Sequence, residues 1–232
     1  MIKLENISFS YPGETILSEA NLTIEQGKIT VVLGKNGVGK TTLLSLIDGY
    51  LTIDSGHIHL EEDAIYIYDQ PHLYDYLSGR EYIELIKSVS ANKTDQSLDH
   101  FIEHLQLTDA LDKMIHAYSL GMKHKLALLT ALMVNYQTYL IDEPLASLDP
   151  ESQALMITFF KAMKEEGKTL VISTHMLEVA YELADDIVFF NDLKLRKIEN
   201  SFDSFKAFKS YVLESLKVKS VSEESDGNKK IK

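Results

Sequence analysis

The chain has 232 residues, 45% hydrophobic and 25% charged, and carries 35 acidic against 23 basic side chains for a formal charge of −12; these proportions exclude a disordered or fibrous chain. At this length roughly 70% of the unfolded surface is buried on folding, so one large domain, or one domain with an insert, stands without covalent staples. There is no cysteine, which rules out disulfides, thiol catalysis and thiolate metal sites and suits a reducing compartment, while the acidic balance, with basic residues scattered along the chain, makes nucleic acid an unexpected partner.

In chain order, the opening MIKLENISFSYPG alternates charged and apolar residues. It does not set a basic end before an apolar stretch, so no signal peptide is expected and the chain is placed in the cytosol. Residues 2–11 alternate as a strand, 29–33 form a short strand of the buried type, and 41–51 carry Leu43, Leu44, Leu46 and Ile47 at helical spacing. A strand thus enters a glycine loop and a helix leaves it. His57 and His59 alternate on a strand, most simply on its solvent face. A tyrosine-rich strand follows at 64–68. From Glu81 the pattern turns helical: Tyr82, Ile83, Leu85, Ile86 and Val89 form one stripe, the polar text SANKTDQS interrupts it, and Leu98, Phe101, Ile102 and Leu105 form another. His100 and His104 stand at the i, i+4 spacing of a zinc pair, but Phe101-Ile102-Glu103 between them is not the metalloprotease order and no third ligand is evident, so they are read as exposed helix residues. The longest apolar run, LALLTALMV at 126–134, is well short of the ~20 residues a membrane-spanning helix requires; any membrane role runs through a partner. Residues 138–141, 169–173 and 187–190 are apolar, β-rich runs of the kind buried in a parallel sheet, with helical segments between them. Strands alternating with helices imply an α/β core. Beyond Tyr211 large apolar residues become few, and 212–232 read as a flexible tail.

Gly34-Lys35-Asn36-Gly37-Val38-Gly39-Lys40-Thr41 satisfies the phosphate-loop pattern of glycine, four residues, then Gly-Lys-Thr. Glycines let successive backbone N–H groups wrap a phosphate at the positive end of the helix that begins there. Lys40 neutralises β- and γ-oxygens, the Thr41 hydroxyl ligates magnesium, and Thr42 adjoins it in the nucleotide-binding set. ATP and Mg2+ are the expected ligands. Downstream, Tyr139-Leu140-Ile141-Asp142-Glu143 puts two carboxylates at the end of a buried strand. Asp142 would hold magnesium and Glu143 would polarise the attacking water, which predicts hydrolysis as well as binding. The plainer reading is a solvated Asp-Glu-Pro turn.

Between and after these elements, about 1–211 resembles the ATP-binding cassette (ABC) ATPases. Tyr118-Ser119-Leu120-Gly121-Met122-Lys123 stands where that family has its signature loop, followed by a helix from His124; read alone, Ser119 with its glycine is equally a helix cap. The resemblance implies a P-loop NTPase (RecA-like) α/β core with an antiparallel β subdomain and an inserted α-helical subdomain at about 72–135. It also implies that Ser119 and Gly121 serve ATP on a second ATPase subunit, in a homodimer or heterodimer. By the same resemblance Tyr11 stacks on adenine, and Gln70 is the Q-loop glutamine that touches magnesium and the attacking water. Ser147-Leu148-Asp149 is the D-loop crossing to the other subunit, and His175 is the switch histidine at the γ-phosphate. Two positions depart from the commonest family text: Leu120 replaces the first signature glycine, with Met122 for glutamine, and Lys35 takes a position that is often proline. Neither change removes a catalytic group.

The Tyr-Ser-X-Gly-Met-Lys form and the stretch from Tyr74 to Tyr82 look like the exporter branch paired with ABC-2-type membrane proteins. The implied function is the ATPase subunit of a transporter on the cytoplasmic face of the cell membrane, bound to an integral membrane permease, with no nucleic acid. Tyr66, Tyr68, Tyr74 and Tyr76 surround Gln70 and suit a groove for a permease helix, although core packing explains Tyr66 and Tyr68 equally well. Rival readings are a soluble ABC protein of translation or DNA maintenance, a regulatory module that binds nucleotide without hydrolysing it, and a P-loop kinase. The single acidic cassette, the intact Glu143, Gln70 and His175, and the signature loop respectively weigh against them.

Overall fold

Two β-strands open the chain, β1 (Ile2–Tyr11) and β2 (Glu14–Ile24), paired antiparallel. In β1 the alternation of buried Ile2, Leu4, Ile7 and Phe9 slips between Leu4 and Ile7, where Asn6 takes a positive φ of 51° and the register shifts as in a bulge. With β4 (Ser55–Leu60) they form a three-stranded sheet in the order β2-β1-β4. In β4, His57 and His59 are exposed and sit opposite Glu5 and Lys3. The computed structural model describes residues 1–89, 99–134, 136–146 and 148–217, so the interrupting SANKTDQS text at 90–97 lies outside the described residues.

The second sheet takes β3 (Ile29–Leu33), β5 (Ala64–Ile67), β6 (Thr138–Asp142), β7 (Thr169–Thr174), β8 (Asp186–Asn191) and β9 (Lys194–Glu199) in the order β5-β6-β7-β3-β8-β9. Every pairing is parallel except that of β8 with β9. Because successive side chains of a strand point to opposite faces, this sheet divides its apolar residues between two cores. Val32, Leu140, Val171 and Val188 face helix α1 (Lys40–Asp48) and the small sheet, where Leu43, Leu44, Leu46 and Ile47 meet Ile2, Leu4 and Leu17. Val31, Leu33, Tyr139, Ile141, Leu170 and Ile172 face α5 (Pro150–Glu165) and α6 (Leu177–Leu183). A fully buried side chain of this kind contributes roughly 1.5–3 kcal/mol, which is why strands covered on both faces appear in the sequence as unbroken apolar runs.

Between β5 and β6 lie α2 (Gly79–Val89), α3 (Asp99–His104) and α4 (Leu120–Met133). His100 and His104 fall on α3, with their side chains outside the described set. Helix α4 begins at Leu120, four residues before the expected His124, because the Ser119 hydroxyl accepts the Met122 N–H at 3.2 Å and so caps an earlier turn. Residues 212–217, expected as part of a flexible tail, are instead helical: α7 (Phe205–Lys217) continues through them, with Phe208 packed on Tyr181 and Phe202 and Val212 buried. Residues 218–232 lie outside the described residues. Among the described residues no helix is long and apolar enough to cross a membrane.

Candidate functional site

The strand order sets the site. β6, β7 and β3 are adjacent and parallel, so the phosphate loop after β3, Asp142 and Glu143 at the end of β6, and His175 after β7 all emerge at one edge, the carboxyl edge at which open α/β sheets bind ligands. The loop turns into α1 at Gly39, whose φ is 111°. A Cβ there would stand 2.7 Å from Ile16 Cγ2 and 3.0 Å from Phe190 Cε1, so both the backbone and the space demand glycine. Lys35, Asn36 and Gly37 are exposed, whereas Gly34 and Gly39 are buried and Val38 is half-buried.

An open cavity of ≈ 440 Å³ lies over this loop, walled by Asn36, Gly37, Lys40, Thr41 and Thr42 on one side and by Tyr11, Asp69, Glu143 and His175 on others. Lys40 is buried, and its Nζ donates to the carbonyls of Gly34 at 2.9 Å and Lys35 at 3.2 Å. It also stands 3.0 Å from Glu143 Oε1, an ion pair by distance whose angles fall short of a hydrogen bond. Glu143 Oε2 meets His175 Nδ1 at 3.0 Å. The Glu143 backbone has a φ of 46°, a left-handed conformation of the kind found where surrounding structure over-determines a functional residue.

Asp142 is buried and its carboxylate is held on both oxygens. Thr41 Oγ1 donates to Oδ2 at 2.6 Å, Tyr66 donates to the same oxygen at 3.3 Å, and Ser173 Oγ donates to Oδ1. Ser173 also accepts the Glu143 N–H at 3.0 Å, so one hydroxyl orients both acidic residues. Burial and the neighbouring Asp142 charge push the Tyr66 phenol well above its ordinary pKa, which keeps it a donor. Thr41 and Asp142 offer the hydroxyl and carboxylate oxygens that suit a hard cation. Among the described residues no three acidic or histidine side chains converge tightly enough to hold a metal alone, which fits magnesium, an ion that takes few protein ligands and completes its shell with phosphate and water.

Tyr11 stands at the far end of the cavity, its ring edge-on to Phe9 and its hydroxyl 3.3 Å from Thr42 Oγ1. Besides Gly34, Lys35 and Val38 of the loop and the buried Asp142, four expected residues are not on the cavity wall. Gln70 is exposed beside it. Ser119 caps α4, and the next residue but one, Gly121, is buried in its first turn. Asp149 caps α5 by accepting the Ser152 N–H at 3.0 Å, and its bonds to Ser152 hold its carboxyl below the usual range. Its D-loop neighbour Ser147 lies outside the described residues.

Ser173 and Asp69 belong to the site without having been singled out from the sequence, and Tyr66, read there as groove or core, belongs to it as a donor to Asp142. Ser173 had one signal: a polar residue closing an apolar strand, directly opposite Asp142 in register. Asp69 is fixed from behind, because His124 Nε2 on α4 donates to its carbonyl at 2.6 Å. Burial lowers the His124 pKa, and with Nε2 protonated its Nδ1 is left buried without a partner among the described residues.

A family model described as ABC transporter matches residues 17–146, more than half of the chain. The lantibiotic transport ATP-binding protein SrtF of Streptococcus pyogenes is 28% identical over 212 residues, covering 88% of this chain and 92% of that protein. The tungstate uptake system ATP-binding protein TupC of Peptoclostridium acidaminophilum is 30% identical over 213 residues, covering 87% and 99%. Among solved structures, an ATP-binding subunit of an ABC transporter superposes with a TM-score of 0.80 at 21% identity, covering 92% of this chain and 99% of that one. A dimeric ATP-binding cassette in a post-hydrolysis state with ADP and Pi gives 0.75 at 21% identity, covering 87% and 100%. These structures share the P-loop NTPase fold described above. On the matched segment and the breadth of these relatives, the chain belongs to the ABC transporter family, as an ATP-binding subunit and an ATPase.

Proposed function

We propose that this chain is the motor subunit of a membrane exporter, working as a pair of ATPase subunits on the cytoplasmic face of the cell membrane against an ABC-2-type permease. The observation that carries the hydrolytic part is Glu143, held between Lys40 and His175 on the wall of the phosphate-loop cavity. In that position its carboxylate accepts the proton of the attacking water, while Lys40 and the loop N–H groups bind the β- and γ-phosphates and His175 reaches the γ-phosphate. Thr41 and Asp142 are the residues to hold magnesium, which when bound neutralises phosphate charge. Tyr11 stacks on the adenine. Gln70, Ser119, Gly121 and Asp149 join only when two subunits close, which accords with their place off the cavity wall in a single chain.

Residues 1–211 act as one ATPase domain with its helical insert at about 72–135. Exposed Tyr74 and Tyr76, with Leu73, Leu77 and Leu85, line an apolar groove on that insert, a surface suited to a permease helix. The signature text Tyr118 to Lys123 and the lantibiotic transport relative favour export. Uptake is the second reading, favoured by the tungstate relative at 30% identity.

Recovery of tagged Glu143→Gln chain with ATP from native membranes tests the assignment. Co-purification of an ABC-2-type membrane protein supports export, and a permease with a substrate-binding protein moves the reading to uptake. Soluble partners or ribosomes alone would replace it with a soluble ABC protein. Phosphate release should vanish in the same variant; unchanged release would remove Glu143 from its role.

A further inference from the structure

The cavity over the phosphate loop carries one acidic side chain that neither the phosphates nor the metal requires. Glu14 lines it beside Tyr11 and Ile16. The turn between β1 and β2 is Pro12-Gly13, with Gly13 at a φ of 87°, and it sets Tyr11 directly opposite Glu14 in the antiparallel register. Residues paired in this way project from one face of the sheet with Cβ atoms about 4.5–5.5 Å apart. Tyr11 and Glu14 therefore stand side by side at the same end of the cavity.

Two residues further along β2, Ile16 is buried and meets the phosphate loop: a Cβ added to Gly39 would stand 2.7 Å from Ile16 Cγ2. The wall formed by the start of β2 thus runs from Tyr11, where the base is to stack, toward the loop, where the phosphates are to lie. The sugar of a nucleotide joins those two ends and so passes Glu14 and Ile16. Ile16 offers it only packing. Glu14 offers a carboxylate, which when ionised accepts hydrogen bonds and donates none. Its side chain is exposed, and among the described residues no hydrogen bond or ion pair engages it. The donors on the sugar are its 2′ and 3′ hydroxyls, and an acidic side chain on a ribose hydroxyl is a recurring arrangement in dinucleotide-binding α/β folds. Adenine's own donor, the exocyclic amino group, lies on the side of the base away from the sugar.

We propose that Glu14 reads the ribose of the bound nucleotide: its carboxylate accepts hydrogen bonds from the sugar hydroxyls and so selects ribonucleotides over deoxynucleotides, while Tyr11 supplies a stacking surface indifferent to the sugar. The proposal rests on the ATP-binding reading of the cavity with Tyr11 at its base end, and the experiment separates the two.

Equilibrium binding to the full chain tests it, with ATP, 2′,3′-dideoxy-ATP and inosine triphosphate as ligands, in EDTA so that hydrolysis does not deplete them. Inosine triphosphate keeps the ribose and lacks the amino group. Wild type should bind ATP about three- to tenfold more tightly than the dideoxy nucleotide, the worth of one or two hydrogen bonds screened by solvent. In Glu14→Ala that ratio should fall to near unity, while the ratio of ATP to inosine triphosphate should stay as in wild type. Equal binding of ATP and the dideoxy nucleotide by wild type, a comparison that needs no variant, would overturn the proposal and leave the ATP-binding reading in place. A preference that survives in Glu14→Ala would assign the hydroxyls to another group and overturn it too. A shift in the ratio of ATP to inosine triphosphate would place Glu14 on the base, and the ribose assignment would fall. A purely structural role in the hairpin would lower the unfolding midpoint and weaken all three ligands by one factor, leaving the ratios where they were, and would equally overturn it. A wild-type chain that binds none of the three, in EDTA or with magnesium, would overturn both readings.

Discussion

Replacing Ser173 with alanine removes a single oxygen that serves two acidic residues of the site, Asp142 and Glu143. The residue is fully buried; its hydroxyl donates to Asp142 Oδ1 and accepts the Glu143 N–H at 3.0 Å. A hydrogen bond to a charged group is worth about 1.5–3 kcal/mol, and a buried N–H left without a partner costs about 1–3 kcal/mol. Relief of the hydroxyl's own desolvation offsets part of this, leaving an expected loss of about 2–4 kcal/mol. Against a total stability of about 5–15 kcal/mol that is a large fraction, and urea unfolding will resolve it. Turnover should fall as well, because Asp142 keeps only its Oδ2 contacts with Thr41 and Tyr66 and Glu143 loses the anchor of its left-handed backbone. Nucleotide affinity should change less, since Lys40 is held by carbonyls of its own loop. In a background carrying Asp142→Ala the same change should cost noticeably less, the mark of a direct coupling. A loss below about 1 kcal/mol with normal phosphate release would refute the reasoning, for it would mean that neither bond contributes as its burial implies.

Other substitutions probe other parts of the site. Gly39→Ala forces a side chain into φ 111° and against Ile16 and Phe190; it should cost at least about 1–3 kcal/mol and abolish ATP binding, measured by thermal unfolding and nucleotide titration. Tyr11→Ala should weaken ATP affinity by roughly two- to tenfold, the worth of one aromatic stacking contact, whereas Tyr11→Phe, which loses only the 3.3 Å contact with Thr42, should bind nearly as wild type. His124 is held neutral by burial, so its folded pKa lies below the unfolded value of about 6.5. Its stability contribution is therefore complete above that pH and is lost as pH falls toward the folded pKa. His124→Gln lacks the titrating group. Denaturant unfolding at about pH 7.5 and about pH 5.5 should show wild type losing more stability than the variant, and parallel losses would contradict the assignment.

The buried strands β3, β6 and β7 were legible in the sequence because a strand covered on both faces must be apolar at every position. The phosphate loop was legible for a related reason: its backbone conformation is local and demands glycine at fixed places within eight residues. What escaped the one-dimensional pattern depends on partners far along the chain. Strand β9, Lys194–Glu199, is mostly charged and exists because it pairs with β8 at the sheet edge. Helix α7 extends past residue 211 because Phe208 meets Tyr181 and Phe202 from other segments and Val212 is buried in the same core. In the site, Asp142 and Ser173 are 31 positions apart in the chain and adjacent only because β6 lies beside β7. Tyr66 reaches Asp142 across 76 positions. A motif names residues that neighbours in sequence constrain; the side chains that aim them are chosen by strand order, which no motif records.

The contacts among the site's own side chains carry a logic as well. Two of the groups proposed to face ATP and magnesium are already engaged with protein groups of opposite character. Lys40 meets two carbonyls and the Glu143 carboxylate, and Thr41 donates to Asp142. The Thr41 contact can persist when a cation binds, because the Thr41 hydroxyl keeps donating its proton to the Asp142 carboxylate while an oxygen lone pair turns to the metal. The Lys40 contact cannot persist unchanged, because phosphate oxygens compete with Glu143 for the same ammonium. On the proposed reading, nucleotide binding loosens Glu143 when its basicity is needed and leaves His175 at 3.0 Å as a side-chain partner. On the same reading, a carboxylate paired with the phosphate-binding lysine and released by the phosphate itself couples Glu143 to nucleotide binding by an exchange of partners at Lys40, before closure brings in the groups of the second subunit.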